Sequence, residues 1–176
     1  MSTLLYFAYG SNMSTLRIQR RVASANAITA ARLHEHALRF HKKSVDGSAK
    51  CDILHTRDPD DIVHGVVFEM LISEKPTLDQ CEGLGLGYRE KLVTLTRPDG
   101  QLLEATAYYA TWIDASLKPY HWYKQHVLKG AREHALPSAH IDAIAAVASI
   151  PDPDPQKHRD ELSIYHRPRR MPEQLK

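Results

Sequence analysis

The chain of 176 residues is 43% hydrophobic, which suffices for one domain with a single buried core. Its 23 Lys and Arg against 21 Asp and Glu leave a net charge of +2, so no strong field would attract nucleic acid or an anionic membrane. The two cysteines, Cys51 and Cys81, are too few for a disulfide framework and form no C-x-x-C pair. These features argue against a disulfide-stapled secreted domain and favour a reducing cytoplasm.

Neither a signal peptide nor a membrane span is expected. The N-terminus lacks a basic region followed by a long apolar stretch. The most apolar later segment, residues 143–150, is far shorter than the roughly 20 residues that cross a bilayer as a helix. We therefore expect an unsecreted protein without a membrane partner.

The first half of the sequence reads mostly as sheet. Residues 4–8 form an apolar run of strand length that stops at a YGSN corner, residues 9–12, and Ser14 is a candidate N-cap for a short helix through Arg20. Further strands are expected at residues 31–41, 52–56 and 62–70, with a turn at 58–61.

A helix is expected from Ser73, a good N-cap, to Glu82, and Gly83 ends it. The GLGLG stretch at 83–87 resembles a dinucleotide-binding turn, but it follows a helix and precedes a strand, the reverse of the required order. We interpret these glycines as a sharp bend that brings Glu82 near another loop. The simpler alternative is that Glu82 is an ordinary exposed acid at a helix end.

The second half continues with a hairpin and two helices. Residues 91–96 and 102–112 flank an Arg-Pro-Asp-Gly turn, which predicts antiparallel pairing. Apolar residues recur at helical spacing after Pro119 and again after Pro137, and both helices are expected to cover the sheet. The sequence thus predicts an α+β fold with a mixed, mainly antiparallel sheet and flanking helices.

Residues 1–150 are predicted to form the domain, and residues 151–176 a Pro-rich C-terminal tail. Five of the ten prolines fall in these last 26 residues, so we expect the tail to wrap the surface or to be disordered rather than to form core. A basic cluster at residues 167–170 is interpreted as solvated charge.

The YGSN corner is the first candidate for chemistry. Main-chain N–H groups around Gly10, at the start of a helix, suit a carboxylate or a developing oxyanion. The alternative is a plain turn in which Ser11 and Asn12 satisfy local backbone groups. Nucleophilic catalysis by Ser11 is disfavoured, because the sequence lacks the Gly-x-Ser-x-Gly elbow and no His and Asp can be assigned to activate it.

Eleven histidines are many for this length, yet their spacing predicts no metal site. His34 and His36 would lie on one face of a strand without an obvious third ligand, and the others are scattered. No metal and no other cofactor is therefore expected.

Three segments together resemble the gamma-glutamylcyclotransferase (AIG2-like) family: YFAYGSN at 6–12, LDQCEG at 78–83 and GARE at 130–133. The resemblance covers about residues 4–150 and implies a barrel-like sheet. It also implies a catalytic glutamate, matched by Glu82, and a substrate-binding set matched by Tyr9, Gly10, Ser11, Asn12, Tyr88, Tyr108 and Tyr123.

The activity implied by this resemblance closes a ring. The alpha-amine of a gamma-glutamyl amino acid or amine attacks the side-chain amide carbonyl, which yields 5-oxoproline and the free amine, with Glu82 moving the protons. The asparagine after the serine, Asn12, is similar to the subgroup of the family that acts on gamma-glutamyl amino acids. Met13 and the C-terminal tail depart from the family pattern, so the identity of the substrate stays open.

Two other functions remain open at this level. One is removal of a gamma-glutamyl group from a biosynthetic intermediate, and the other is non-catalytic binding of a small molecule by the same fold. The expected partner is a small gamma-glutamyl compound, not nucleic acid, and the protein is either a monomer or a homodimer.

Overall fold

The structure, a computed structural model, describes residues 1–166. Its strands in this range are β1 (Thr3–Ala8), β2 (Asn26–His34), β3 (His36–Lys43), β4 (Ala49–His55), β5 (Ile62–Leu71), β6 (Tyr88–Thr96) and β7 (Leu102–Ala110). Its helices are α1 (Thr15–Arg21), α2 (Lys75–Glu82), α3 (His121–Glu133), α4 (Ser138–Ala146) and α5 (Pro155–Leu162).

Five strands close into a barrel in the order β1-β5-β2-β6-β7. Every neighbouring pair is antiparallel except β1 and β7, which run parallel and close the barrel where Tyr6 meets Thr106. The hairpin between β6 and β7 is present, and the mainly antiparallel barrel with flanking helices confirms the predicted fold class. Side chains from several strands meet without solvent exposure in the core, among them Phe7, Val67, Phe68, Leu95 and Ala107.

The predicted strand over residues 31–41 is wrong as a single element. Glu35 has a left-handed φ of 58°, which ends β2 in the barrel and starts β3 in a separate two-stranded sheet with β4. A glycine in the sequence indicates that a left-handed conformation is allowed, whereas a glutamate gives no such signal. The break between β2 and β3 at Glu35 was therefore not predicted. His34 and His36 therefore belong to different strands.

Helix starts differ in detail from the sequence interpretation. Ser14 is the N-cap residue of α1, as predicted, but its side chain makes no capping hydrogen bond. Ser73 is not the N-cap of α2: it lies in a 3₁₀ turn, and Glu74 takes the cap position. Gly83 ends α2 with a left-handed φ of 73°, as predicted.

α3 fixes the corner after β1 through a close backbone contact at Gly130. A Cβ atom on Gly130 would lie 2.5 Å from the Cβ of Met13 and from the backbone N of Ser14. Only glycine permits this approach, because real Cβ contacts are never so short. The corner therefore rests directly on the helix.

The chain beyond residue 150 forms a helix that the proline content did not suggest. Asp154 caps α5 by accepting hydrogen bonds from two backbone N–H groups, and Pro155 follows at its first position. Asp-Pro is a sequence signal for a helix start that outweighs the prolines here. Trp122 of α3 donates to Asp152 at 2.7 Å, so this segment packs on the domain. The basic cluster at 167–170 lies outside the described residues, and the division at residue 150 stays a prediction.

Across residues 1–166, no helix combines the length and the apolar character needed to span a membrane.

Candidate active site

The corner after β1 is a 3₁₀ turn over Ser11–Met13, closed by the Met13 N–H donating to the Gly10 carbonyl at 3.0 Å. Within residues 1–166, the main-chain N–H groups of Gly10, Ser11 and Asn12 have no protein acceptor. These three donors lie at the N-terminus of the 3₁₀ turn, as the sequence predicted for a helix start, and α1 itself begins only at Thr15. The first N–H groups of a helical turn have no partner within the turn, so these three are available to an oxygen anion.

Glu82 is not the solvated helix-end acid of the simpler interpretation. Its side chain is 16% exposed, and Oε1 accepts a hydrogen bond from Nδ2 of Asn12 at 2.6 Å. The turn at Gly83 redirects the chain and leaves Glu82 facing the corner. Among the described residues, hydrogen bonds reach Oε1 of this carboxylate and not Oε2. One oxygen atom is thus held while the other is open to a ligand.

Arg21, at the end of α1, completes a chain of polar contacts that sequence reasoning missed. Its Nη1 donates to Oδ1 of Asn12 at 2.9 Å and lies 3.4 Å from Oε1 of Glu82. Asn12 therefore accepts from an arginine and donates to a carboxylate, which fixes its amide orientation. The signal that could have found Arg21 is its spacing of four residues from Arg17, which puts both on one helix face.

The tyrosines around the corner are anchored by their hydroxyl groups. Tyr9 donates to the carbonyl of Tyr108 at 2.6 Å, Tyr88 donates to the carbonyl of Cys51, and the Cys51 N–H donates to the hydroxyl of Tyr123 at 2.9 Å. Burial raises the pKa of Tyr9, Tyr88 and Tyr123 well above its ordinary value. These phenols are neutral walls with fixed ring positions.

All the site residues predicted from the sequence line one small hollow. Its volume is about 20 Å³, close to the minimum that holds one water molecule. The residues around it are Tyr6, Tyr9, Gly10, Ser11, Asn12, Cys51, Glu82, Tyr88, Tyr108 and Tyr123. The structure thus brings the eight predicted residues together and adds Tyr6 and Cys51, while the role of each stays a prediction.

A second cavity of about 100 Å³ adjoins the hollow and is strongly basic. The two share Ser11, Glu82, Tyr88 and Tyr123, so the second cavity forms the mouth of the first. Four cationic side chains line this mouth: Arg17, Arg21, Lys42 and Lys50. The sequence did not predict this grouping, because it joins α1 to the β3–β4 hairpin.

A third and larger cavity, of about 490 Å³, lies beside the mouth between α1 and α5. Opposite charges line it, and Arg17 is paired there with Glu161. It contains neither the free amides of the corner nor Glu82. Size alone does not make it the reaction site, since the convergent polar groups are in the smaller hollow.

Nucleophilic catalysis by Ser11 finds little support in the geometry. Within the described chain, no histidine hydrogen-bonds to the Ser11 hydroxyl, so the base that a serine nucleophile needs is missing. The same residues 1–166 contain no group of three or more His, Cys, Asp or Glu side chains placed to hold a metal ion.

The sequence model of the AIG2-like family matches residues 62–144, which include α2 and the barrel strands β6 and β7. The gamma-glutamylcyclotransferase of Mus musculus is 30% identical over 165 residues, which cover 92% of this chain and 84% of the relative. That of Bos taurus is 34% identical over 142 residues, covering 77% and 73%. The chain belongs to the gamma-glutamylcyclotransferase family.

A solved structure of a gamma-glutamyl cyclotransferase supports the same assignment. It superposes with a TM-score of 0.83 at 28% sequence identity and covers 94% of this chain and 99% of its own. The barrel, the flanking helices and nearly the whole chain length are thus shared with that protein.

Proposed function

We propose that the protein converts a gamma-glutamyl amino acid or amine into 5-oxoproline and the free amine. The observation that carries this proposal is the shared hollow, which is lined by Glu82 and by Gly10, Ser11 and Asn12, whose main-chain N–H groups have no acceptor among the described residues. A general acid/base and an anion cradle in one hollow are the two parts that an internal acyl transfer needs.

Positioning supplies a large part of the rate. The nucleophile is the substrate's own alpha-amine, and oriented intramolecular reactions reach effective molarities of about 10⁵ to 10⁸ M. The anchored rings of Tyr9, Tyr88, Tyr108 and Tyr123 give walls that can hold the glutamyl chain in its folded conformer. The hollow is smaller than a glutamyl group, so binding displaces side chains at its mouth.

Glu82 is the proposed proton carrier. As the alpha-nitrogen bonds to the side-chain carbonyl carbon, Oε2 takes a proton from that nitrogen, and the carbonyl oxygen becomes an oxyanion. The same proton then passes to the departing amide nitrogen as the old carbon–nitrogen bond breaks. Asn12 and Arg21 hold Oε1 and keep the carboxylate aimed at the hollow.

The amides of the corner have two proposed uses. They can hold the substrate's alpha-carboxylate, or they can stabilise the oxyanion of the tetrahedral intermediate. Both uses rest on the same donors, and both require close approach of the ligand to the backbone at Gly10. A side chain at this position would meet Cys51 Cβ at 3.1 Å and the Tyr123 hydroxyl at 3.2 Å.

The test is direct assay of 5-oxoproline release from gamma-glutamyl-alanine, a gamma-glutamyl-lysine isopeptide and glutathione. We expect release from at least one of the three. No release from any of them, by a folded protein, would overturn the proposal. A fluorophosphonate probe that labels Ser11 and abolishes activity would point to serine chemistry instead.

A reducing compartment and a small-molecule substrate fit this activity. Cys51 and Cys81 are unpaired thiols, and Cys81 is exposed, which suits a reducing compartment such as the cytoplasm. The near-neutral net charge of +2 supports a small-molecule substrate over nucleic acid.

A further inference from the structure

Lys42 is a mostly buried residue whose ammonium has no acceptor among residues 1–166. The residue is only 7% exposed, yet within residues 1–166 its ammonium forms no hydrogen bond and no ion pair. The side chain passes over the ring of Tyr88, with Nζ 4.6 Å from the ring centre, and borders the basic mouth of the hollow. An ammonium at the wall of a cavity, without a counter-ion beside it, can take an anionic ligand as its partner.

A β-bulge aims Lys42 at this cavity. In the β3–β4 hairpin Phe40 pairs with Cys51, but the next registered pair is Lys42 with Lys50, so His41 is the extra residue. Residues paired across two strands share a face of the sheet, so the bulge puts both ammonium groups on the cavity side. Bulges are frequent beside active sites, where they redirect a side chain.

Lys42 and Lys50 differ in their hydrogen-bond acceptors and counter-ions. Lys50 donates to Asp46 at 2.8 Å and to Ser48 at 2.7 Å. Lys42 faces this like charge and gains no acceptor of its own among the described residues. Like charges opposite each other on two strands destabilise a sheet, so the pairing with Lys50 does not favour a lysine at position 42. Burial lowers the pKa of Lys42, and the nearby Glu82 and Asp46 charges oppose that shift.

The third glycine of the GLGLG stretch makes room for this side chain. A Cβ atom on Gly87 would lie 3.0 Å from Cε and 3.3 Å from Nζ of Lys42. The bend that carries Glu82 to the hollow therefore also lets Lys42 reach Tyr88. The conformation of the glycine stretch and the position of the Lys42 side chain therefore depend on each other.

The route of the substrate links Lys42 to the reaction. The hollow and its mouth share Ser11, Glu82, Tyr88 and Tyr123, so a group that extends from the hollow past these residues arrives beside Lys42. In the proposed cyclisation, the part that extends outward is the amine to be released. A carboxylate on that amine would give the ammonium its missing partner.

We propose that Lys42 is a specificity-determining residue that binds the carboxylate of the released amine at the mouth of the hollow. This inference rests on the proposed cyclisation. It makes Lys42 the residue that distinguishes a leaving amine with a carboxylate from the matching neutral amide.

The test compares gamma-glutamyl-alanine with gamma-glutamyl-alaninamide, which keeps the glutamyl part and lacks only the outer carboxylate. Wild-type protein, Lys42→Met and Lys42→Arg are assayed for kcat/KM. Lys43→Met is the matched control, because it removes the same charge from the next residue, which lies over Trp112 instead. We expect Lys42→Met to lower kcat/KM for the acid about 10- to 100-fold, the scale of one hydrogen bond to a charged group. The amide should be unaffected, and Lys42→Arg should restore part of the difference.

Calorimetric binding of both compounds to Glu82→Gln separates the two proposals. If wild-type protein turns over neither compound, but Glu82→Gln binds the acid more tightly and adding Lys42→Met removes that difference, the cyclisation fails and the carboxylate subsite stands. If turnover occurs without selectivity, or Lys42→Met affects both compounds alike, the subsite is overturned while the cyclisation stands. Absence of any difference in binding or turnover overturns the subsite as well.

Discussion

Asn12 and Glu82, separated by 70 residues in the sequence, are joined by a hydrogen bond of 2.6 Å between Nδ2 and Oε1. The contact ties the turn after β1 to the end of α2 across the hollow. It also makes the acid part of a chain that continues to Arg21. This chain is the basis for the first predictions.

Glu82→Gln should abolish turnover while the protein folds and binds substrate. Glutamine keeps the shape but cannot carry a proton, and general acid/base catalysis contributes about 10²- to 10⁴-fold. Release of 5-oxoproline and calorimetric binding measure the two effects. Glu104→Gln, on the exposed face of β7, is the matched control and should retain full activity. Wild-type turnover by the Glu82 variant would contradict the role of this acid.

Arg21→Met should lower kcat by about 10-fold or more with little change in KM, because misplacement of a catalytic group costs rate rather than binding. The neighbouring Arg20→Met removes the same charge outside the chain of contacts and should have no effect on kcat. Melting temperatures of both variants provide the check on folding. Equal losses of kcat in the two variants would assign the effect to net charge and not to positioning.

Gly10→Val should lower kcat/KM more than Ser11→Ala does. The valine side chain would crowd Cys51 and Tyr123 and block approach to the backbone donors, and loss of one oxyanion donor costs about 10²- to 10³-fold in rate. Ser11→Ala leaves the main-chain N–H in place. Separate kcat and KM values for both variants make the comparison, and two harmless substitutions would argue against a backbone cradle.

Gly130→Ala should destabilise the fold and damage the site together. Alanine gains about 1 kcal/mol in helix propensity, but overpacking costs about 1–3 kcal/mol, and here the contact at 2.5 Å involves backbone that cannot rotate away. We therefore expect a net loss of unfolding free energy, measured by urea titration. Arg132→Ala, exposed on the same helix, should change it by less than about 0.5 kcal/mol.

Acidification should lower the free energy of unfolding, because His126 is buried in its neutral form. Burial, opposed by the hydrogen bond to Glu161, lowers the pKa of this fully buried histidine to about 4 from 6.5. The unfolded chain therefore binds a proton below pH 6.5 that the folded protein takes up only near pH 4, so stability falls as the pH drops between these values. At pH 5 the loss is about 2 kcal/mol by linkage.

Urea titrations at pH 7 and pH 5 test this dependence. His126→Gln should show a smaller difference between the two pH values than wild type, whereas His166→Gln, at an exposed position, should not. An unchanged difference in His126→Gln would mean that other groups carry the pH dependence.

The local parts of the site were readable from the sequence. A strand that ends at Gly-Ser-Asn and an acid followed by a helix-ending glycine are both short-range signals, and the structure has both where they were predicted. The family resemblance then brought the two segments together. Neither step needed knowledge of how distant elements pack.

The basic mouth was not readable because it depends on long-range geometry. Lys42 reaches the cavity only through the bulge at His41, and that bulge exists only once β3 pairs with β4. The break at Glu35 that separates β3 from the barrel has no glycine or proline to announce it. Helix α5 was not predicted, because the prolines of this segment were taken to exclude regular structure. Pro155, directly after the N-cap Asp154, in fact begins the helix.

The hollow draws its walls from β1 and the turn after it, β4, α2, β6, β7 and α3, spread from Tyr6 to Tyr123. No contiguous fragment short of the closed barrel contains all of them, so a partly assembled chain has no means of catalysis. Enzymatic activity is consequently a reporter of complete folding. During denaturation it should vanish in step with the circular dichroism signal, and split or truncated halves of the barrel should be inert until they reassociate.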